Sequence, residues 1–336
     1  ASSAGVTQAE WSACGMSARL AGVSMAWASC LAADAPPAAA DEAARIYAAT
    51  GVKGGLVVHV GCGDGRLTAA LRANDSCLVY GLDTDPANVD KARGQIRAAG
   101  LADKVQIDRW SGESLPCIDN TASLIVVEDP GKLPMDEVQR ILAPNGVAYV
   151  KEAGQWRKIV KPRPAAMDEW THYLHDASNN AVAQDTLVGP PRRMQWIDGP
   201  RYSRHHDHMS GISAMVSANG RNYYIFDEGP TASILVPPKW FLVARDAFSG
   251  VLLWKQPIAE WHTTLWPLKS GPLLLTRRLV AVGDRVYVTA YDQEQLLTVA
   301  LDRATGKELW RRDFLNLETA GCAQQKRDGG CNRHHF

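Results

Sequence analysis

The stretch VVHVGCGDGRLTAAL, residues 57–71, runs from an apolar β-branched strand through a glycine-rich turn into a helix. Few local patterns constrain a fold as tightly. Gly61, Gly63 and Gly65 stand at the carboxyl end of the strand, where glycine permits a sharp reversal and close approach of a ligand to the backbone. Helix N–H groups then point at that ligand. Further apolar runs follow at 77–82, 104–108, 123–128 and 146–151, apolar on both faces as central parallel strands require. Helical signals alternate with them. Asp85 is an N-cap, Pro86 fits the first helical position, Gly100 closes the end, and Val89, Ala92, Ile96 and Ala99 share one face. In LPMDEVQRILAPNG, Val138, Ile141 and Leu142 face inward. Alternation of this kind predicts a doubly wound α/β sheet over residues 41–152.

A dinucleotide turn reads G-x-G-x-x-G, yet Arg66 occupies the third glycine position. Asp83 ends the second strand 18 residues after Gly65, where a carboxylate can accept hydrogen bonds from both hydroxyls of a ribose. The bland alternative is a plain βαβ turn with a capping aspartate.

Over roughly residues 45–152 the chain resembles the class I S-adenosylmethionine-dependent methyltransferases, on VVHVGCGDGRLT, VYGLDTDPANVDKAR, GESLP and RILAPNGVAYV. The resemblance implies a Rossmann-like sheet. It places Gly61, Gly63 and Gly65 under the methionine part of the cofactor, with Asp83 on the ribose. Trp110 and Ser111 would lie beside the adenine, with Trp110 able to stack on the ring. Glu128 and Asp129, at the end of the fourth strand, would face the substrate as candidate catalytic residues. The chain departs from the family at His59 and Ser123, where acidic residues are usual, and at Ser111, where an aspartate commonly meets the adenine amino group. The basic stretch KEAGQWRKIVKPRP reads as a connector, residues 153–167, leaving no room for the family's closing helix and hairpin.

Beyond it the period changes to that of strands. FLVARDAFSGVLLWKQ (241–256) and LLTVALDRATGKELWR (296–311) are two copies of one unit: Asp246 and Asp302, Gly250 and Gly306, and Trp254 and Trp310 each stand 56 residues apart. The aspartate caps a tight turn, the glycine supplies the positive φ, and the tryptophan packs between sheets. Two further hairpins are expected around Asn219-Gly220 and Gly283-Asp284. Such a period predicts β-propeller blades over residues 168–315. The repeats resemble those of pyrroloquinoline-quinone (PQQ) type propellers, and DEWTHYLHDASNNAV is similar to the opening segment of quinoprotein-like chains. The domain order resembles exported planctomycete-type proteins. A closed ring needs about 250–400 residues, so this stretch amounts to about two blades. The chain is therefore expected to be a fragment or to need further blades or partner chains, and a complete PQQ site is not expected in it alone.

Other features allow less. His206 and His208, in RYSRHHDHMS, would share one face of a strand and could ligate a transition metal, or simply hydrogen-bond a blade loop. His172 and His175 are expected to fix a turn. Residues 1–40 read as a leader: Arg19, a small apolar run from Leu20 to Ala33 and an A-x-A site at Ala33–Ala35 suit an export signal, hence a periplasmic or secreted protein, the bland alternative being a buried or disordered Ala-rich leader on a cytoplasmic one. The run is too short to span a bilayer. Thirty-six basic against 36 acidic residues leave no field to steer the chain to nucleic acid. Cys322 and Cys331 could pair within the irregular tail, 316–336. Three classes fit: a methyl-transferring enzyme of unknown acceptor, a binding scaffold carrying a relic α/β domain, or a redox quinoprotein completed by missing blades.

Overall fold

The computed structural model describes residues 37–187, 189, 194–199, 211–232, 236–259, 261, 273–292 and 295–313. The proposed leader up to residue 36, His206, His208, Cys322, Cys331 and the tail lie outside the described residues.

Six strands form the first sheet: β1 (Gly55–Val60), β2 (Cys77–Asp83), β3 (Val105–Arg109), β4 (Ala122–Val127), β5 (Leu142–Glu152) and β6 (Gln155–Val160), in the order β3-β2-β1-β4-β5-β6. The first five are parallel, as their two-sided apolar sequences predict. Four helices intervene: α1 (Pro37–Thr50), α2 (Arg66–Ala70), α3 (Pro86–Ala98) and α4 (Met135–Ile141). The first begins inside the segment read as leader, because Ala43, Ile46 and Thr50 recur at helical spacing and bury against the sheet. In α3 the expected cap is present, with Asp85 Oδ1 accepting from the Ala87 N–H at 2.9 Å. Val89, Ala92 and Ile96 are buried. Leu142, expected on a helix, instead opens β5, still buried.

The basic connector needs correction. Residues 155–160 are β6, antiparallel to β5 through a two-residue turn at Ala153-Gly154, both at positive φ. Trp156 stacks on Tyr149, ring centroids 4.7 Å apart, and Ile159 packs on the core. Lys158 donates to the carbonyls of Ala49 and Thr50 at the end of α1. The lysines and arginines that suggest a solvated linker are those an edge strand carries to discourage further pairing.

Two four-stranded antiparallel meanders follow. The first comprises β7 (Ile212–Ala218), β8 (Arg221–Asp227), β9 (Trp240–Asp246) and β10 (Leu252–Pro257). The second comprises β11 (Leu279–Val282), β12 (Arg285–Asp292), β13 (Gln295–Asp302) and β14 (Glu308–Asp313). They share one core, from Val216, Tyr223, Ile225 and Leu242 to Leu279, Val286, Val288 and Leu301. Burying side chains of this size contributes about 1.5–3 kcal/mol each.

The two repeated turns are superimposable in their bonding. Asp246 Oδ1 accepts from the N–H groups of Phe248 and Ser249 and from the Ser249 hydroxyl. Asp302 Oδ1 accepts from Ala304, Thr305 and the Thr305 hydroxyl in the same way. Each turn is covered by a tryptophan from upstream. The Trp254 indole donates to the Arg303 carbonyl at 3.0 Å, and a Cβ on Gly306 would stand 2.6 Å from its ring. Trp196 covers the first turn alike: its indole donates to the Ala247 carbonyl at 2.9 Å, and a Cβ on Gly250 would run into its ring. Only glycine fits under such a ring.

The first meander also meets the α/β sheet. Ser76 Oγ donates to the Leu253 carbonyl, and Ser123 Oγ lies 3.4 Å from Asp246 Oδ2. Both serines stand at the amino-terminal edge of the parallel strands, the end remote from the glycine turn. An acidic residue at position 123 would set two carboxylates face to face, which is a physical reason for serine there.

Candidate functional site

The strand order reverses between β1 and β4, and open α/β sheets bind ligands outside the carboxyl ends of strands at such a point. Here lies a cleft of about 480 Å³, lined by Val60, Gly61, Asp83, Thr84, Asn88, Trp110, Ser111, Gly112 and the turn Asp129–Lys132. Its size is that of a small-molecule site.

Gly61, Gly63 and Gly65 all adopt positive φ, at 79°, 53° and 83°. For Gly65 a side chain is also excluded by packing, since a Cβ would lie 2.8 Å from Ala92 Cα on α3. The turn therefore lies tight against α3. Asp83 braces it from the next strand: Oδ2 accepts from the Gly63 N–H at 2.8 Å, and Oδ1 from the Asp85 N–H at 2.9 Å. Asn88 Nδ2 sits 3.4 Å from both oxygens. A carboxylate offers about four lone-pair sites. Two strong backbone bonds fix its plane, and the remaining site on each oxygen meets only the long Asn88 contacts, which a ligand's hydroxyls would have to displace. That geometry suits a vicinal diol.

Trp110 is half-buried against the core and tied to the site by its N–H to the Asp83 carbonyl, 3.1 Å. Ser111 is exposed on the same wall. The loop behind them is anchored to α4: Glu137 accepts from the Leu115 N–H at 3.0 Å and pairs with Arg140 at 2.8 Å. Arg140 also reaches the carbonyls of Cys117 and Leu115. The Arg140 pairing holds the Glu137 carboxyl down to about 2. Cys62, inside the glycine turn, has its thiol pushed up to about 12 by burial first and by the Asp83 charge second, which leaves it unreactive.

The structure separates the two candidate catalytic carboxylates. Asp129 lies on the cleft wall, with Oδ1 accepting from the Gly131 N–H at 3.0 Å. Glu128 turns to the buried His59, whose Nε2 is 3.3 Å from Glu128 Oε1, short of good hydrogen-bond alignment. That contact holds the Glu128 carboxyl below its usual range, against burial. Asn88 and Lys132 also line the cleft, although sequence reasoning missed them. Asn88 had one available signal, its place in the first turn of a helix capped two residues beyond Asp83.

Residues 57–146 match the model of a methyltransferase domain. Together with the strand order and the loop geometry, that match decides the matter. This region is a class I methyltransferase domain. The cofactor of such domains is S-adenosylmethionine. Over 99 residues the methyltransferase domain is 31% identical to Methyltransferase GfsG of Streptomyces halstedii, covering 28% of this chain and 36% of that protein. It is 28% identical over 99 residues to an uncharacterized protein of Haemophilus influenzae, covering 27% of this chain and 39% of the other. The chain thus spans well under half the length of these curated relatives. Among solved structures, a SAM-dependent methyltransferase from Aquifex aeolicus matches at 21% identity, over 36% of this chain and 69% of that one, with a TM-score of 0.30.

Elsewhere, His175 Nε2 meets Asp168 Oδ2 at 2.7 Å and His172 Nδ1 meets Thr171 Oγ1 at 2.8 Å, fixing the turn they were expected to fix. Among the described residues no group of three or more His, Cys, Asp or Glu could hold a metal ion. No described helix is long and apolar enough to cross a membrane.

Proposed function

We propose that the chain binds S-adenosylmethionine in the cleft beside Gly61 and transfers its methyl group to a small-molecule or protein acceptor. The observation that carries this reading is the Asp83 carboxylate on the cleft wall, oriented by two backbone N–H groups and otherwise met only by long Asn88 contacts that a ribose diol would replace. Trp110 offers a face for the adenine ring, and the backbone at Gly61 and Gly63 lets the methionyl part pass. Asp129, across the cleft, stands on the acceptor side. S-adenosylmethionine bound there would supply an electrophilic methyl group on its sulfonium, and the Asp129 carboxylate would take the proton of the acceptor nucleophile that receives it.

The two meanders are read as blades of a quinoprotein-like propeller that presents or completes the acceptor site. Support comes from the 56-residue repeat and from the identical capping of both turns. Export through the amino-terminal leader and recruitment of further blades belong to the same proposal.

Isothermal titration of the full chain with S-adenosylhomocysteine tests it. Binding is expected, and Asp83→Ala should weaken it about 100-fold, as loss of two charge-assisted bonds implies. An affinity indifferent to that change overturns the ribose assignment. Absence of binding to the folded protein overturns the methyltransferase function and favours a scaffold.

A further inference from the structure

The methionyl end of the cofactor carries a carboxylate, and the glycine turn has little left to offer it. The Gly61 and Cys62 N–H groups both donate to the Leu82 carbonyl, at 2.8 and 3.1 Å, and Gly65 donates to the Cys62 carbonyl at 2.9 Å. The Gly63 N–H is taken by Asp83, and the Arg66 N–H by Asp64 Oδ1 at 3.0 Å. Of the turn itself only Gly61 lines the cleft. The two carboxylates on the cleft wall, Asp83 and Asp129, would repel an arriving anion. A charge brought here unpaired is costly, so a cation must come from elsewhere. Arg66 does not supply it: its Nε pairs with Asp64 at 3.2 Å, and the residue lies outside the cleft lining.

Lys132 is the one cation among the residues that line the cleft. It is exposed and makes no ion pair among the described residues. Its backbone is held on both sides. Before it, Gly131 at a φ of 46° donates to Asp129 Oδ1 at 3.0 Å; after it, the buried Leu133 donates to the Pro130 carbonyl at 2.7 Å. This turn adjoins the glycine turn, since a Cβ on Gly61 would stand 3.9 Å from the Asp129 nitrogen. A ligand gripped by Asp83 and running past Gly61 therefore arrives at it. The geometry points to Lys132 as the residue that takes the carboxylate of the cofactor's amino-acid end, an ammonium on a flexible stem in place of the backbone donors spent in the turn. The inference rests on the cofactor reading above.

The test is calorimetric titration of the full chain with two compounds, S-adenosylhomocysteine and methylthioadenosine, which shares the adenosine and the thioether but lacks the amino-acid end. Lys132→Gln should weaken S-adenosylhomocysteine roughly fivefold, the size expected of a partly exposed ion pair, and leave methylthioadenosine unchanged within about twofold. Lys132→Arg, which keeps the charge, should retain most of the affinity. Arg66→Gln should change neither compound. The loss in Lys132→Gln should also shrink as salt is raised, because screening weakens the pair that the variant removes. Equal weakening of both compounds, or an unchanged affinity for S-adenosylhomocysteine, overturns this inference alone. A loss in Arg66→Gln confined to S-adenosylhomocysteine moves the carboxylate to the other cation and overturns it too. Failure of the unaltered chain to bind either compound overturns the cofactor reading instead.

Discussion

The two ends of the parallel sheet are built on opposite plans. At the amino-terminal edge, Ser76 and Ser123 close onto Leu253 and Asp246 of the first meander, and polar atoms there are matched within the chain. At the carboxyl edge, Asp83 has beyond its two backbone bonds only the long Asn88 contacts, and Asp129 and Lys132 line open space. The difference teaches that contacts at one end serve cohesion, while at the other they are arranged and then left incomplete. Substitutions should therefore divide cleanly into those that cost stability and those that cost binding.

The largest effect should come from Trp254→Ala, which removes a buried indole and uncovers the Gly306 turn. A loss of about 3–5 kcal/mol is expected in urea unfolding, with S-adenosylhomocysteine affinity of the folded protein unchanged within about twofold. A drop in affinity equal to that of Asp83→Ala would break the division between the ends. Ser123→Asp should cost about 1–3 kcal/mol, through crowding and through repulsion from Asp246. Chemical denaturation at neutral pH and near pH 3 sharpens this case, because protonation at the lower pH should shrink the deficit.

The smallest effect concerns Glu137, behind the Trp110–Ser111 wall. Its carboxyl titrates lower in the folded chain than in the unfolded one, near 2 instead of 4.5. Its contribution is therefore present above pH 4.5 and is lost as pH falls from 4.5 toward 2. The gap in stability between the unaltered chain and Glu137→Gln should be on the order of 1 kcal/mol at pH 6, after screening of a partly exposed pair. Followed by thermal melting, it should narrow below pH 4.5 and close only near pH 2. A gap that widened on acidification would contradict the assigned sign.

Much of this was legible locally. The five parallel strands, the Asp85 cap and both capped turns follow from patterns spanning a dozen residues or fewer. Asp83 could be placed in the cleft because its distance from the glycine turn fits one strand-turn-helix unit. Strand β6 escaped because its charged residues carry the same composition whether they line an edge or a linker. Trp196 escaped because it precedes the repeat it covers, and nothing near it in the chain announces a partner. His59 and Glu128 each stood out singly, yet their contact depends on β1 and β4 lying side by side, a fact of topology and not of composition.

The Asp246 carboxylate divides its labour between its two oxygens. One closes its own turn; the other reaches the hydroxyl of Ser123. Asp302 closes the second turn by the same oxygen and sits in the field of Lys53, just ahead of β1. A motif that satisfies itself with half of its side chain keeps the other half as a socket. A unit of that kind can be duplicated and then plugged onto an unrelated neighbour without loosening its own bend, which is how a single five-residue signature can serve both as a hinge pin and as a coupling.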